Sequence, residues 1–208
     1  MATSKAKVTG TKILDAALEL FRTQGFDATT MRDIAAKAGV ATGAAYYYFP
    51  SKEAIVMAFY QRTFDEALPK IQEAMEAPGG LEARMRALIR VKLDHFGPNR
   101  AVLRGILKNG ADPKHPVSPF SKETKAFREM EIGWFRRIFE ESGLRVPGDL
   151  EVRMPEVLWL LHIGVIFFWI ADDSARQVNT KRLLDQGMNT VTALLRLSGP
   201  PAGMMEAS

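Results

Sequence analysis

Apolar residues recur along this chain at spacings of three and four, the period of an α-helix, and no alternating strand pattern competes with it. Each run with this period predicts one helix: 13–24, 31–38, 42–48, 51–76, 81–96, 99–109, 119–142, 151–172 and 177–197. The pattern therefore predicts an all-α fold.

Glycine and proline mark the ends of these segments. Gly25 and Gly39 follow the first two helices, and Pro50 precedes Ser51, which can cap the long fourth helix. Pro69 can bend that helix. Loops are expected at 109–119 and 143–149, and the final segment, 198–208, predicts a disordered tail.

Two short helices around a glycine turn have the outline of a helix-turn-helix motif. Thr30 precedes the first of them, and Asp33 stands where it can close a weak capping box with Thr30. In this motif the second helix lies in the major groove of DNA. That helix is "TGAAYYY", residues 42–48.

The second short helix begins with small residues and ends with phenols. Its candidate DNA contacts are Thr42, Gly43, Ala44, Tyr46, Tyr47 and Tyr48. Small side chains allow the backbone close to base edges, and a phenol can donate to a phosphate oxygen while its ring stays packed. Three consecutive side chains span more than half of a helix, so we expect at least one tyrosine, and Phe49, to pack inward. Lys52, which begins the next helix, adds a cation for a phosphate.

Composition adds limits rather than an identity. The 208 residues allow one domain or two small ones, and the absence of cysteine excludes disulfides, thiolate metal ligands and thiol catalysis. A reducing cytoplasm suits such a chain, and no signal peptide is recognisable. The net charge of +4 permits a polyanionic partner. The basic start "SKAKVTGTK" is equally consistent with a solvated tail and with an arm that enters the minor groove.

Neither an enzyme nor a metal site is indicated. The chain has no GxSxG, P-loop or GxGxxG motif, and its histidines, His95, His115 and His162, follow no metal-ligand spacing. We therefore expect no catalytic residue, cofactor or metal. His115 is expected in a surface loop, whereas His95 and His162 are expected in a pocket or in the core.

The segment "VLWLLHIGVIFFWIA", residues 157–171, carries no formal charge. Its fifteen residues are fewer than the ~20 that a membrane span needs, so a buried helix is expected and no membrane. The next helix carries an apolar stripe: Leu183, Leu184, Gly187, Met188, Val191, Leu194 and Leu195. Two such helices, about 151–197, predict a four-helix interface with a second copy in a homodimer. The alternative is an ordinary pair of core helices in a monomer.

Two stretches carry a resemblance to a known family. "TKILDAALELFRTQGF" and "TTMRDIAAKAGVATGAAYYYFPSKEAI" resemble the DNA-binding region of the tetracycline-repressor (TetR) family of transcription regulators over about residues 9–58. The resemblance implies an N-terminal three-helix helix-turn-helix domain, 1–53, and a C-terminal helical ligand-binding and dimerisation domain, 54–197. It also implies that Thr30 and Arg32 touch the DNA backbone or a base, and that Lys52 contacts phosphate.

The sequence departs from the family pattern at the start of the recognition helix. Ala41 stands where the family often has Ser or Thr, and loss of such a cap costs about 1 kcal/mol unless Thr42 replaces it. The family often has larger residues at Ala44 and Ala45. With few side chains able to make paired base contacts, we expect specificity to depend on Arg32, Thr42 and DNA shape.

The C-terminal part carries candidate residues for an effector pocket, which needs apolar walls and a few polar groups. The candidates are His95, Phe96, Phe127, Met130, Trp134, Trp159 and His162. At least half of the aromatic and methionine side chains there are expected to be plain core. Since the nearby cations are mostly at solvent-facing positions, the expected ligand is apolar, aromatic or acyl, and not strongly anionic.

Together these patterns favour a cytoplasmic repressor that is released from a pseudopalindromic operator on double-stranded DNA by a small apolar effector. The alternative is a helical small-molecule carrier that has kept the fold and lost its operator.

Overall fold

The computed structural model describes residues 2–110 and 112–198, and in these ranges the chain forms helices and no β-strand. The helices are α1 (Ala2–Thr23), α2 (Met31–Ala38), α3 (Thr42–Tyr48), α4 (Lys52–Met75), α5 (Leu81–Phe96), α6 (Arg100–Ile106), α7 (Lys125–Glu141), α8 (Leu150–Ala171) and α9 (Val178–Ser198). The all-α prediction is confirmed. Short 3₁₀ turns follow α5 and α6 and precede α9.

Two helix boundaries differ from the sequence prediction. α1 begins at Ala2, so the basic start is part of the first helix, and its contact with DNA stays a prediction. The predicted helix 99–109 is α6 followed by a 3₁₀ turn, whereas the predicted helix 51–76 agrees with α4, which continues past Pro69. The predicted tail lies outside the described residues, apart from Ser198, which ends α9.

The largest difference is at α7, which begins at Lys125 and not at residue 119. Ser118, Ser121 and Thr124 are buried there, and their hydroxyls bond to nearby backbone. The Ser118 hydroxyl donates to the carbonyl of Gly110 at 2.6 Å, and that of Thr124 donates to the carbonyl of Ser118 at 2.7 Å. Serine and threonine hydroxyls that bond locally offer the backbone an alternative to the helix, which explains the late start.

The chain divides into two compact units. Unit one contains residues 1–66 and 96–126, and unit two contains 67–95 and 127–208. The sequence prediction of a boundary after residue 53 would fall inside α4, and the predicted domain limits stay a prediction.

Unit one is built around α1 to α3 and the start of α4. Its most buried apolar side chains come from every one of these helices: Ile13, Ala17, Ile34, Ala35, Ala45, Ile55 and Phe59. Phe59 also meets Phe96 edge to face, with ring centroids 6.2 Å apart. At the surface Lys37 of α2 pairs with Glu19 of α1 at 2.6 Å. The apolar period of the short helices thus fixes α2 and α3 on α1.

Unit two contains most of the large aliphatic and aromatic core. Its buried apolar residues include Ile71, Leu81, Met85, Leu88, Ile89, Phe135, Ile138, Met154, Leu158, Trp159, Leu184 and Met188. The start of α9 is held by Asp172, whose carboxylate accepts bonds from the backbone N–H of Ser174 and from that of Thr180 at 3.0 and 2.8 Å. The bond from the Ser174 hydroxyl, followed by that from the Thr180 hydroxyl and by these backbone bonds, lowers the pKa of Asp172, although burial offsets part of the shift.

α8 is apolar on all sides and has two different faces. One face, with Met154, Leu158 and Trp159, is buried in the core of unit two. The opposite face leaves Leu160, Gly164 and Phe168 exposed at four-residue spacing. The helix has 22 residues and is long and apolar enough to cross a membrane by length and composition alone, but its buried face shows it to be a core helix of this unit.

α9 divides its apolar stripe in the same way. Leu184 and Met188 are buried in the core of unit two, whereas Leu183 and Leu194 are exposed and Gly187 is half-buried. The stripe predicted from the sequence is therefore two adjacent faces. Leu184 belongs to the core face, not to the face available to a second copy.

Candidate DNA interface and effector site

α2 begins at a complete capping box. The Asp33 N–H donates to the Thr30 hydroxyl oxygen at 3.2 Å, and the Asp33 carboxylate accepts from the Thr30 N–H at 2.9 Å. The hydroxyl of Thr30 also donates to that carboxylate at 2.6 Å. These bonds from Thr30 lower the pKa of Asp33. The predicted box is confirmed, and it fixes where α2 starts.

Gly39 makes the turn between α2 and α3. Its φ of 68° is left-handed, a conformation that glycine adopts without a Cβ clash. The N–H groups of Val40 and Gly39 donate to the carbonyls of Ala35 and Ala36 at 3.0 and 3.2 Å, which is the Schellman pattern. The turn therefore closes α2 and sets the direction of α3.

α3 starts without a side-chain cap. Ala41 is its N-cap residue, and the Ala41 carbonyl accepts from the N–H groups of Ala44 and Ala45 at 2.9 and 3.1 Å. The cap lost at Ala41 is not replaced by Thr42, which is the first residue of the helix.

The aromatic run of α3 is divided between the fold and the surface. Ala45 is fully buried, and Tyr48 is half-buried beside α1, where its ring lies 3.7 Å from the position that a Cβ on Gly10 would take. Tyr46 is 51% exposed and Tyr47 is 84% exposed. Tyr48 is thus the inward tyrosine that the helical period requires. Phe49 is only half-buried.

The remaining predicted contacts lie on the same short motif. Thr30, Arg32, Thr42 and Gly43 are exposed, and Ala44 is half-buried. A Cβ built on Gly43 would meet no atom within 4 Å, so the backbone there is open to a large partner. The hydroxyl of Thr30 is already engaged in the capping box. Contact of these residues with DNA stays a prediction.

Lys52 has a role within the chain that the sequence did not predict. Its ammonium donates to the carbonyl of Phe26 at 2.6 Å and lies 4.5 Å from the centroid of the Phe26 ring. A cation over an aromatic face adds to that bond. Lys52 therefore ties the start of α4 to the loop after α1, and its contact with phosphate stays a prediction.

The predicted effector residues are spread over both units. Phe96 belongs to unit one, whereas His95, Phe127, Met130, Trp134, Trp159 and His162 belong to unit two. Trp159 and His162 are buried, Met130 is exposed, and the other four are half-buried. Within unit two three of the buried polar side chains, Lys92, Glu131 and His162, lie near Trp159.

The central feature of that cluster is an ion pair that the sequence reasoning missed. Lys92 of α5 and Glu131 of α7 are 5% and 7% exposed, and the Lys92 ammonium donates to one oxygen of the Glu131 carboxylate. The Trp159 indole N–H donates to the other oxygen at 2.8 Å. The expectation that cations here face solvent is wrong for Lys92.

Helical register contained a signal for this pair. Lys92 continues the buried series Leu81, Met85, Leu88 and Ile89 of α5, and Glu131 precedes Phe135, Ile138 and Phe139 on the buried face of α7. Charged residues are rarely buried unless they are paired, so a charged residue at a core position of each of two helices predicts a buried ion pair.

Burial controls the protonation of this cluster. It lowers the pKa of the Lys92 ammonium, and the Glu131 carboxylate offsets part of that shift. Burial, followed by the positive charge of Lys92, lowers the pKa of His162 to well below 6.5. His162 is therefore neutral near pH 7, beside a charge pair that is neutral overall.

Comparisons with known proteins agree with a helix-turn-helix motif followed by a helical C-terminal part. Residues 13–59 match the family described as bacterial regulatory proteins, tetR family, and residues 84–206 match the tetracyclin repressor-like C-terminal domain. The chain is 25% identical over 177 residues to the HTH-type transcriptional regulator UidR of Escherichia coli K12, covering 85% of this chain and 89% of that protein. It is 28% identical over 147 residues to the HTH-type transcriptional repressor KstR2 of Rhodococcus jostii RHA1, covering 68% and 71%.

A solved structure supports the fold as a whole. The TetR transcriptional regulator from Nitrosomonas europaea superposes with a TM-score of 0.63 at 20% identity, covering 88% of this chain and 98% of that one.

Proposed function

The chain belongs to the TetR family of bacterial regulatory proteins, and from that premise we propose that it represses transcription at a pseudopalindromic operator and leaves it when a small apolar effector binds. Members of this family are helix-turn-helix transcriptional regulators that bind DNA. The proposed role needs no catalytic residue and no cofactor. We place it in the cytoplasm, where its DNA partner is found.

The surface of α3 carries this proposal. Tyr47 and Tyr46 are large aromatic residues left exposed on a helix whose inner side is firmly packed through Ala45. Two phenol hydroxyls beside the open backbone at Gly43 suit the phosphates that flank a major groove. Arg32 adds a cation at the start of α2, and Thr42 has a methyl group for a thymine.

A homodimer is the assembly that such an operator requires. We propose that it forms through the exposed faces of α8 and α9, which present Leu160, Gly164 and Phe168 along α8 and Leu183 and Leu194 along α9. Contiguous exposed apolar residues commonly mark protein interfaces. A two-fold dimer would present its recognition helices about 34–36 Å apart, or at a multiple of that distance.

Release follows if the effector prefers a conformation of the dimer that does not fit the operator. Such a ligand shifts the population toward that conformation by its difference in affinity. We propose that the effector binds in unit two, near Trp159 and His162, where buried polar groups lie among apolar side chains.

The decisive experiment compares two exposed glycines of the same chain. An operator is first selected from a pool of random DNA, and its affinity is then measured for the Gly43→Glu and Gly133→Glu variants. Both glycines lie in helices with nothing within 4 Å of an added Cβ. Gly43→Glu places a negative charge beside the phosphates and should weaken binding at least 100-fold, whereas Gly133→Glu should bind like the wild type.

Equal affinities of the two variants would place the DNA elsewhere on the molecule. Failure to select any operator, together with tight binding of a small molecule, would favour the carrier alternative. The salt dependence of the affinity distinguishes operator binding from a weak general attraction, because each neutralised phosphate contributes to its slope.

A further inference from the structure

His162 is a fully buried polar side chain of unit two that the fold itself does not explain. Its ring is 0% exposed and stacks at a tilt against Phe135, with centroids 5.3 Å apart. Neither ring nitrogen makes a hydrogen bond of normal geometry within the described residues, although the backbone of Trp159, one turn earlier on α8, lies close enough to favour the protonated ring. Buried polar atoms without a partner are rare in native proteins and call for an explanation.

In the neighbouring ion pair, by contrast, both carboxylate oxygens of Glu131 have hydrogen-bond partners. One oxygen of Glu131 accepts from Lys92, and the other accepts from Trp159. A ligand carboxylate placed here would compete with Glu131 for the ammonium and would be repelled by the Glu131 charge. A neutral ligand meets no such repulsion.

The chemistry of the imidazole selects the ligand group. A neutral imidazole has one N–H donor and one acceptor nitrogen. A hydroxyl group can pair with either nitrogen, because it both donates and accepts. A hydrocarbon leaves both nitrogens unpaired.

We propose that His162 is the group that orients the effector, and that the effector is an uncharged, largely apolar molecule whose buried end carries a hydroxyl group. This inference rests on the proposed function only in calling the ligand an effector. Binding of the ligand at His162 is tested independently of DNA release. In the bound state the hydroxyl pairs with the His162 ring, while Lys92 and Glu131 keep their own pairing and disfavour acids.

The test uses two sets of probes that share one shape within each set and differ at one end. The first set is 1-decanol, decane and decanoate, and the second is 4-butylphenol, butylbenzene and 4-butylbenzoate. Affinities for the full-length protein are measured by tryptophan fluorescence and by calorimetry. We expect the hydroxyl probe of at least one set to bind tenfold or more tightly than its hydrocarbon and its acid. A site that pairs with a substrate hydroxyl discriminates strongly against the analogue that lacks it.

Three variants connect this preference with the residues. His162→Phe keeps a ring and removes both nitrogens, so the preference for the hydroxyl over the hydrocarbon should vanish. His162→Gln keeps one donor and one acceptor and should retain part of it, which also guards against a Phe variant that fails to fold. Glu131→Gln removes the repelling charge and should move the preference at least tenfold toward the acid.

The outcomes separate this inference from the function on which it draws. Absence of binding by all six probes, equal binding within both sets, tighter binding of the acids, or a hydroxyl preference that survives in His162→Phe would overturn it. Operator affinity is measured in the same samples by fluorescence anisotropy. Binding that depends on His162 and leaves DNA affinity unchanged would support the site and refute control by an effector. Release of DNA by a probe whose affinity does not change in His162→Phe would support control by an effector and refute the binding site at His162.

Discussion

Replacement of Leu160 by aspartate tests the proposed dimer face at its centre. Leu160 is 50% exposed in one copy. Complete burial of a leucine is worth about 1.5–3 kcal/mol, so covering the exposed half contributes about 1 kcal/mol per copy. A two-fold axis repeats every contact, which doubles this to about 2 kcal/mol per dimer.

The introduced carboxylate adds a larger cost. An uncompensated charge in a buried site destabilises by about 3–5 kcal/mol. With the lost apolar contact, the expected penalty is at least about 5 kcal/mol per dimer. Since 1.4 kcal/mol corresponds to a factor of ten, the dimer should dissociate at least about three thousandfold more readily.

Sedimentation velocity over a range of concentrations measures the dissociation, and fluorescence anisotropy measures operator affinity in parallel. Leu150→Asp is the matched control, because Leu150 is 44% exposed and is the first residue of α8, where an acid favours the helix. The control should remain dimeric. Circular dichroism and thermal unfolding establish that both variants fold.

A Leu160→Asp protein that folds and dimerises like the control would place the interface outside this face of α8. A monomer that still binds the operator with undiminished affinity would support the proposed interface and refute the need for a dimer.

Three further predictions concern the DNA-binding motif, the buried ion pair and the start of α9. Tyr47→Phe and Lys52→Ala should each weaken binding to operator and to random DNA by similar factors. Lys52→Ala should also lower the slope of log affinity against log salt by about one. An unchanged slope would mean that the Lys52 ammonium bonds to the loop carbonyl and does not contact phosphate. Glu131→Gln should cost about 3–5 kcal/mol of unfolding free energy in denaturant titrations, and a Lys92→Met/Glu131→Met double variant should recover most of it; equal losses would mean that the charges are not coupled. Asp172 has a lowered pKa in the folded protein, so its contribution to the free energy of unfolding is present above the unfolded carboxyl pKa of about 3.9 and is lost as the pH falls through the folded value. Asp172→Asn should therefore flatten the acid part of the profile of stability against pH. An unaltered profile would count against the hydrogen bonds at the start of α9.

The sequence specified the DNA-binding motif well because its signals are local. The bounds of α2 and α3 were predicted to the residue. Thr30 and Asp33 form a box that spans four residues, and Gly39 alone supplies the left-handed turn. None of these signals depends on a distant part of the chain.

Features that depend on distant partners were missed or only half predicted. Lys92 and Glu131 are 39 residues apart, and their pairing follows from the packing of α5 against α7 rather than from a local pattern. The apolar stripe of α9 is visible in the sequence, but only the fold shows that Leu184 turns to the core and Leu194 does not. At Ser118 the hydroxyl competes for backbone groups, which periodicity does not register.

Different residues of α3 pack the fold and face the surface, and this separation affects how the DNA target of such a protein can change. The fold relies on Ala45 and on the inner side of Tyr48, while Thr42, Gly43 and Tyr47 are exposed. Surface substitutions away from caps and core contacts usually change stability by less than about 0.5 kcal/mol. Mutations at the open positions can therefore accumulate without unfolding the protein. A duplicated gene is free to drift toward a new target sequence, and a designer can randomise these few codons to obtain switches that ignore one another's operators.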